Sequence, residues 1–154
     1  MPSLSSRRHP LTLLSEEAQI CSLIENRARA VYNKDVAQAI SDHVPDVLLF
    51  DVVTPLQYVG VDTARERTGE WFSNYEGPIG YEIRDLDVTV GGDVAVCHYF
   101  YHVTGTMKSG QQIAMWVRAT CCFCKIDGAW KMTHEHNSVP FDPESGKAAL
   151  DLEP

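Results

Sequence analysis

The 154-residue chain predicts an α+β domain, with helices first and then a meander of long antiparallel strands, the helices lying against one face of a bent sheet. Three observations carry this. Apolar residues recur at helical spacing in the first part of the chain. From Gly80 to Val139, four long runs rich in β-branched and aromatic residues follow one another. Between those runs stand short turn signals: Gly91-Gly92-Asp93, Lys108-Ser109-Gly110 and Asp127-Gly128.

The elements follow in order. Ser15 precedes Glu16 and Glu17, a cap followed by acids in the first turn, and so starts a helix. Ile20, Ile24, Ala28 and Val31 continue it to about Asn33, with Arg27 at the edge of the apolar stripe. A short second helix spans about Asp35 to Asp42 and is limited by Pro45. Leu49 to Gly60 reads as a strand and hairpin with a lone carboxylate, Asp51, in an otherwise apolar run. Asp62 is placed to cap a third helix reaching about Tyr75, with Trp71, Phe72 and Tyr75 on its apolar side. The four strands are then Gly80 to Val90, Val94 to Thr106, Gln111 to Ile126 and Trp130 to Val139. Two of them, around Val94–Val103 and Ile113–Phe123, carry apolar groups at both parities. A sheet apolar on both faces needs a second cover, so a homodimer through the sheet is expected. The boundaries read as a tail over residues 1–14, one domain over 15–140 and an extension over 141–154.

Composition narrows the functions. With 44% hydrophobic and 22% charged residues the chain has the make-up of a soluble globular protein. A formal net charge of -8 argues against nucleic acid or an anionic membrane as partner. No apolar run is long enough to span a bilayer, and Arg7 and Arg8 are not followed by the core of a signal peptide. Five cysteines, three of them (Cys121, Cys122 and Cys124) crowded on one expected strand, read as reduced core thiols, in keeping with a cytoplasmic protein.

Several motifs carry a resemblance: Asn33-Lys34-Asp35 after the first helix, Phe50-Asp51 with Gly60 nine residues after Asp51, Gly92-Asp93, and Asp127-Gly128-Ala129-Trp130 followed by His134-Glu135-His136. Together they resemble the NTF2-like superfamily, and within it the SnoaL-like and ketosteroid-isomerase-homologue group. The last motif also resembles the association domain of calmodulin-dependent kinases. The resemblance implies an NTF2-like cone, with N-terminal helices packed on a strongly bent antiparallel sheet. Its open end would admit a small apolar or carbonyl-containing molecule. The general-base aspartate of the isomerases falls on Asp51. Their oxyanion-hole tyrosine falls near Arg27, and their second oxyanion donor near Thr120 or Cys121, so two of three positions have changed.

The candidate residues follow from both readings. Asp51 is either a general base whose pKa is raised by apolar walls, or an acid that caps a turn or pairs with Arg27. Arg27 either stabilises a developing negative oxygen or neutralises Asp51. His98, Phe100 and His102 share one strand face, which the resemblance places in the pocket, with His102 as its acid or base. His134 and His136 occupy one face of the last strand, Glu135 and Asn137 the other; the resemblance turns Glu135 and Asn137 inward unless a bulge intervenes. Tyr58 and Trp71 read as core or pocket wall. Trp116 and Arg118 read as dimer interface, or alternatively as a pocket patch. The His134/His136 pair lacks a third ligand at evident spacing, so no metal is expected. The expectation is a cofactor-independent isomerase, cyclase or dehydratase; the alternative is a non-catalytic binding or oligomerising module.

Overall fold

The computed structural model describes residues 14–154. Of the expected N-terminal tail, residues 1–13 lie outside the described residues, and Leu14 is exposed.

Ser15 caps α1 (Glu16–Tyr32) by accepting the Ala18 amide at 3.1 Å, and Glu16 and Glu17 put negative charge at the positive end of the helix. One stripe of α1 is buried: Ile20, Ile24, Arg27, Ala30 and Val31. Asp35 caps the single turn α2 (Val36–Ala39) by accepting the Gln38 amide. β1 (His43–Phe50) and β2 (Tyr58–Val59) form the expected hairpin, pairing Leu48 with Val59. α3 (Val61–Ser73) starts from Gly60 rather than from Asp62, which lies in its first turn. Gly60 has φ 93°, a conformation that side chains resist, and its amide donates to the Val47 carbonyl at 2.8 Å. α3 ends at Ser73, so Tyr75 opens β3 (Tyr75–Gly91), which therefore begins five residues earlier than its sequence pattern predicts. β4 (Val94–Met107), β5 (Gln112–Ile126) and β6 (Ala129–Ser138) lie within a residue or so of the expected strands.

The strands lie in the order β2-β1-β6-β5-β4-β3. β3 to β6 form the antiparallel meander. The sheet as a whole is mixed, because β1 runs parallel to β6, with Leu48 beside His134 and Phe50 beside His136. Two strands so far apart in sequence need no hairpin between them, and a parallel pairing is open to them.

Alternation sets the two faces. Along β4, Ala95, Cys97, Tyr99, Tyr101 and Val103 are buried, and along β5, Val117, Ala119, Cys121 and Phe123. Against this face packs α1, and Ile20, Ile24, Phe123 and Met132 are almost fully enclosed between them. On β6 the alternation breaks. Cys122 pairs with His134 but Phe123 with Met132, so Thr133 is an extra residue in a β-bulge. Trp130 and Met132 face inward before the bulge, and Glu135 and Asn137 after it. After β6 the chain turns back on itself: Phe141 bridges to Ala148, and the Ala149 amide donates to the Pro140 carbonyl at 2.7 Å. No described helix is long and apolar enough to cross a membrane.

Candidate active site

At one end of the sheet, α1, α3 and the β1–β2 loop surround a cavity of about 470 Å³. Its wall is mostly apolar, with Val31, Leu49, Trp71, Val103, Met115 and Val117 among the lining residues. Into this wall the fold brings four of the predicted polar residues, Asp51, Arg27, Glu135 and Asn137, and also Tyr58 and Trp71.

Arg27 comes from the buried stripe of α1, one helical turn after Ile24. Its guanidinium meets Glu135 Oε2 at 2.7 Å and Asp42 Oδ2 at 3.9 Å. Burial works against its charge, but these two carboxylates outweigh that and hold Arg27 protonated. Asn137 Nδ2 donates to the second oxygen of Glu135 at 2.8 Å. Asp42 in turn accepts from His43 Nδ1 at 2.9 Å. Burial works to raise the Asp42 carboxyl, yet the His43 bond and Arg27 prevail and hold it below the usual carboxylate range. The chain thus clamps one buried cation between two carboxylates, neither of which is Asp51.

Asp51 follows directly on β1, where the strand leaves the sheet, and lies at the cavity mouth. One side of the residue is open to solvent; the other faces packed protein atoms. Burial raises the carboxyl above its ordinary range. The Val52 amide, donating to Oδ1 at 2.7 Å, opposes that rise, Glu135 adds to it by like charge, and Arg67 opposes it. Arg67, from α3, lies over the Tyr58 ring at 4.6 Å and pairs with Glu70 at 3.1 Å.

Two tyrosines that sequence reasoning missed, Tyr81 and Tyr101, complete the inner wall, and a third, Tyr99, is bonded to the first. The rings of Tyr81 and Tyr101, from β3 and β4, stack at 4.3 Å and 9°, and both residues line the cavity. The Tyr81 hydroxyl meets the Tyr99 hydroxyl at 2.8 Å. Burial pushes all three phenols upward, so they remain protonated. Tyr99, Tyr101 and Val103 share one parity of β4, and the sequence does not disclose that this parity is the inward one. Tyr81 lacks even a regular parity, since β3 is irregular, with register shifts between Glu76 and Gly80 and between Arg84 and Asp87.

The expected pocket roles of His98, Phe100 and His102 are corrected. All three have the outward parity of β4, on the face opposite Tyr99 and Tyr101. His98 is exposed beside Asp87 at 3.4 Å, and His102 stacks on Trp116 at 4.6 Å. On that same outer face Phe100 pairs in register with Arg118, whose Nε donates to Ser138 at 3.1 Å. His134 and His136 are outward too, each edge-on to Phe50, and His134 Nδ1 contacts the Leu48 carbonyl oxygen at 2.7 Å.

The model of the SnoaL-like domain matches residues 20–142. The chain belongs to the SnoaL-like family. Among solved structures it is similar to an NTF2-like protein of unknown function from Pseudomonas putida, at 31% identity and TM-score 0.82, covering 90% of this chain and 96% of that one. It is also similar to a ketosteroid isomerase-like protein from Erwinia carotovora, at 22% identity and TM-score 0.70, covering 82% and 97% of the two chains. A third similar structure, from Xanthomonas campestris, is named as a candidate calcium/calmodulin-dependent kinase II association domain; it has 19% identity and TM-score 0.71, with 94% and 95% covered. The latter two likenesses, at such identity, concern the fold. No curated protein matches.

Proposed function

We propose that this SnoaL-like chain is a cofactor-independent enzyme of the isomerase, cyclase or dehydratase type. Asp51 takes a proton from the carbon next to a carbonyl in a small, uncharged molecule held in the cavity. One observation carries the reading: Asp51 lies at the mouth of an apolar cavity with its carboxyl raised by burial, and among the described residues no cation is locked to it. A carboxyl so placed is a stronger base when ionised than an exposed one. Arg27 is given a different part from the one its sequence position implies. Its charge is taken up by Glu135 and Asp42, so it positions Glu135 rather than meeting the substrate oxygen.

The test is proton exchange into a simple ketone. Acetophenone in deuterated buffer is expected to gain deuterium at its methyl carbon when the protein is added. Asp51→Asn is expected to lower that rate by about 10²–10⁴-fold while the fold is kept. Equal rates for the two proteins would sink the mechanism. The second reading is a binding or oligomerising module without chemistry, favoured by the likeness to the kinase association domain. Acetophenone bound but never exchanged would favour it. Either reading includes a homodimer formed through the outer face of the sheet.

A further inference from the structure

His43 is a buried titratable side chain that the reaction proposed for Asp51 does not use. It is the first residue of β1, and the backbone around it is fixed. Its amide donates to the Ile40 carbonyl at 3.1 Å, it pairs with Met132, and the Met132 amide donates to the Asp42 carbonyl at 2.7 Å. Ile40 and Val44, close to it in sequence, belong with Val47 and Ala64 to a small apolar cluster. The side chains of His43 and Asp42 are 6% and 10% exposed.

The two ring nitrogens of His43 meet different surroundings. Nδ1 lies 2.9 Å from Asp42 Oδ1. The Asp42 carboxyl is held below its ordinary range and stays ionised, and an ionised carboxylate only accepts, so Nδ1 carries the proton. Nε2, on the far side of the ring, makes no hydrogen bond to a described residue. It is not shut in either: the enclosed side-chain atoms without a partner among the described residues are Arg67 Nε and Asn137 Oδ1. His43 lines the cavity. An imidazole with one nitrogen fixed by a carboxylate presents the other in a set direction.

We propose that Nε2 of His43 forms a second polar subsite of the cavity, that it binds a hydroxyl group of the ligand, and that Asp42 is its positioning residue. A neutral ring accepts a hydrogen bond through Nε2 and a protonated ring donates one; a hydroxyl answers both states. Charge does not favour a carboxylate in its place. The cavity wall carries Arg27, Arg67, Asp51, Glu70 and Glu135; Arg27 is paired with Glu135 and Arg67 with Glu70. Both cations already meet carboxylates and Asp51 adds a third, so the wall suits an uncharged group. His43 opens β1 and Asp51 follows its last residue, so the two address different ends of a ligand. Where Asp51 is the base, as proposed above, the substrate is a carbonyl compound with a hydroxyl remote from the carbonyl. The subsite itself does not depend on that reading.

Phenol and anisole test the subsite, because they share a ring and an oxygen and only phenol has a proton to give to Nε2. In mildly alkaline buffer, calorimetric titration is expected to show phenol bound about 3–10-fold more tightly, the worth of one hydrogen bond. His43→Phe should lose that preference and Asp51→Asn should keep it, with near-ultraviolet circular dichroism as the check on folding. A second measurement needs no variant. Nitrogen-15 correlation spectra of the wild-type His43 ring should show Nδ1 protonated and Nε2 bare, with phenol shifting the Nε2 resonance and anisole leaving it in place. A His43 that merely braces Asp42 would give neither the preference nor the shift. Equal binding of the two probes by the wild type, a preference that survives in His43→Phe or disappears in Asp51→Asn, an unmoved Nε2 resonance, or no binding of phenol overturns the proposal. Deuterium exchange into acetophenone reads Asp51 instead, so a failure of the base and a failure of the subsite are told apart.

Discussion

At the scale of single residues, the two aspartates near the cavity answer pH in opposite senses. Asp51 has a folded-state pKa above its unfolded value, so its contribution favours the fold below the unfolded pKa and is lost as pH rises through the folded one. Asp42 is depressed, so its contribution is present above the unfolded pKa and is lost as pH falls through the folded one. Asp51→Asn is therefore expected to melt higher than wild type near neutral pH and to lose that advantage in acid. Proton exchange by the wild type should rise with pH through a value above the ordinary carboxylate range. A melting temperature that falls at neutral pH in Asp51→Asn would mean that the charge is structural. Glu135 makes the contrasting case. Its carboxylate faces the buried Arg27 at 2.7 Å, and Glu135→Ala leaves that charge with only Asp42 at 3.9 Å. Removing one partner of a buried pair costs about 3–5 kcal/mol, and the remaining carboxylate places this variant at the lower end. Urea unfolding measures it; a loss no larger than that of an exposed pair would show that water reaches Arg27.

At the scale of elements, the bulge at Thr133 decides which side chains of β6 reach the cavity. Were Thr133 an ordinary paired residue instead of the extra one of a bulge, the period of two that brings Trp130 and Met132 inward would bring His134 and His136 inward as well. Deleting Thr133 removes the bulge and leaves Glu135 and Asn137 on the inward parity of Trp130 and Met132, so the Arg27 pairing and exchange are expected to be kept. Lost exchange in a folded deletion variant would show that the bulge sets more than the facing of Glu135. The bulge also marks the limit of what the sequence discloses. Helix α1 was legible because Ser15, two acids and a regular apolar stripe agree. β4, β5 and β6 were legible because turn residues bracket long β-forming runs. The facing of β4 was not, because His98, Phe100 and His102 alternate with Tyr99, Tyr101 and Val103, and aromatic residues occupy both parities. Only the packing of α1 against one side separates them. The parallel pairing of β1 with β6 was equally hidden, since it joins Leu48 to His134 with no local signal. Gly105 shows a close approach of the same unpatterned kind. A Cβ there would lie 2.9 Å from the ring of Tyr75, which is itself buried.

At the scale of the whole molecule, the outer face of the sheet is the feature that the described residues leave without a partner. Half-buried Phe50, Phe100 and Trp116 lie across β1, β4 and β5, with His102 stacked on Trp116 and Arg84 set 5.9 Å over it. Val94 and Val96 extend the apolar surface and are 58% and 38% exposed. Trp, Phe and Arg are the residues enriched where proteins meet, whereas a solvated sheet face is lined with small polar groups. A second copy is the simplest cover, because a two-fold axis places the same aromatic patch against itself. The net charge of -8 opposes association in proportion to its exposure, so the contact must be made by uncharged groups of this kind. Sedimentation equilibrium is therefore expected to give twice the 17.2 kDa chain mass at micromolar concentration. Trp116→Glu would remove the aromatic centre of that contact and bury a charge in its place, and should give the single-chain mass. Trp116 does not line the cavity, so a folded monomeric variant should bind acetophenone as the wild type does. A wild-type protein that sediments as one chain would leave the aromatic face to solvent and exclude the dimer. A Trp116→Glu variant that remains dimeric would move the contact to another surface.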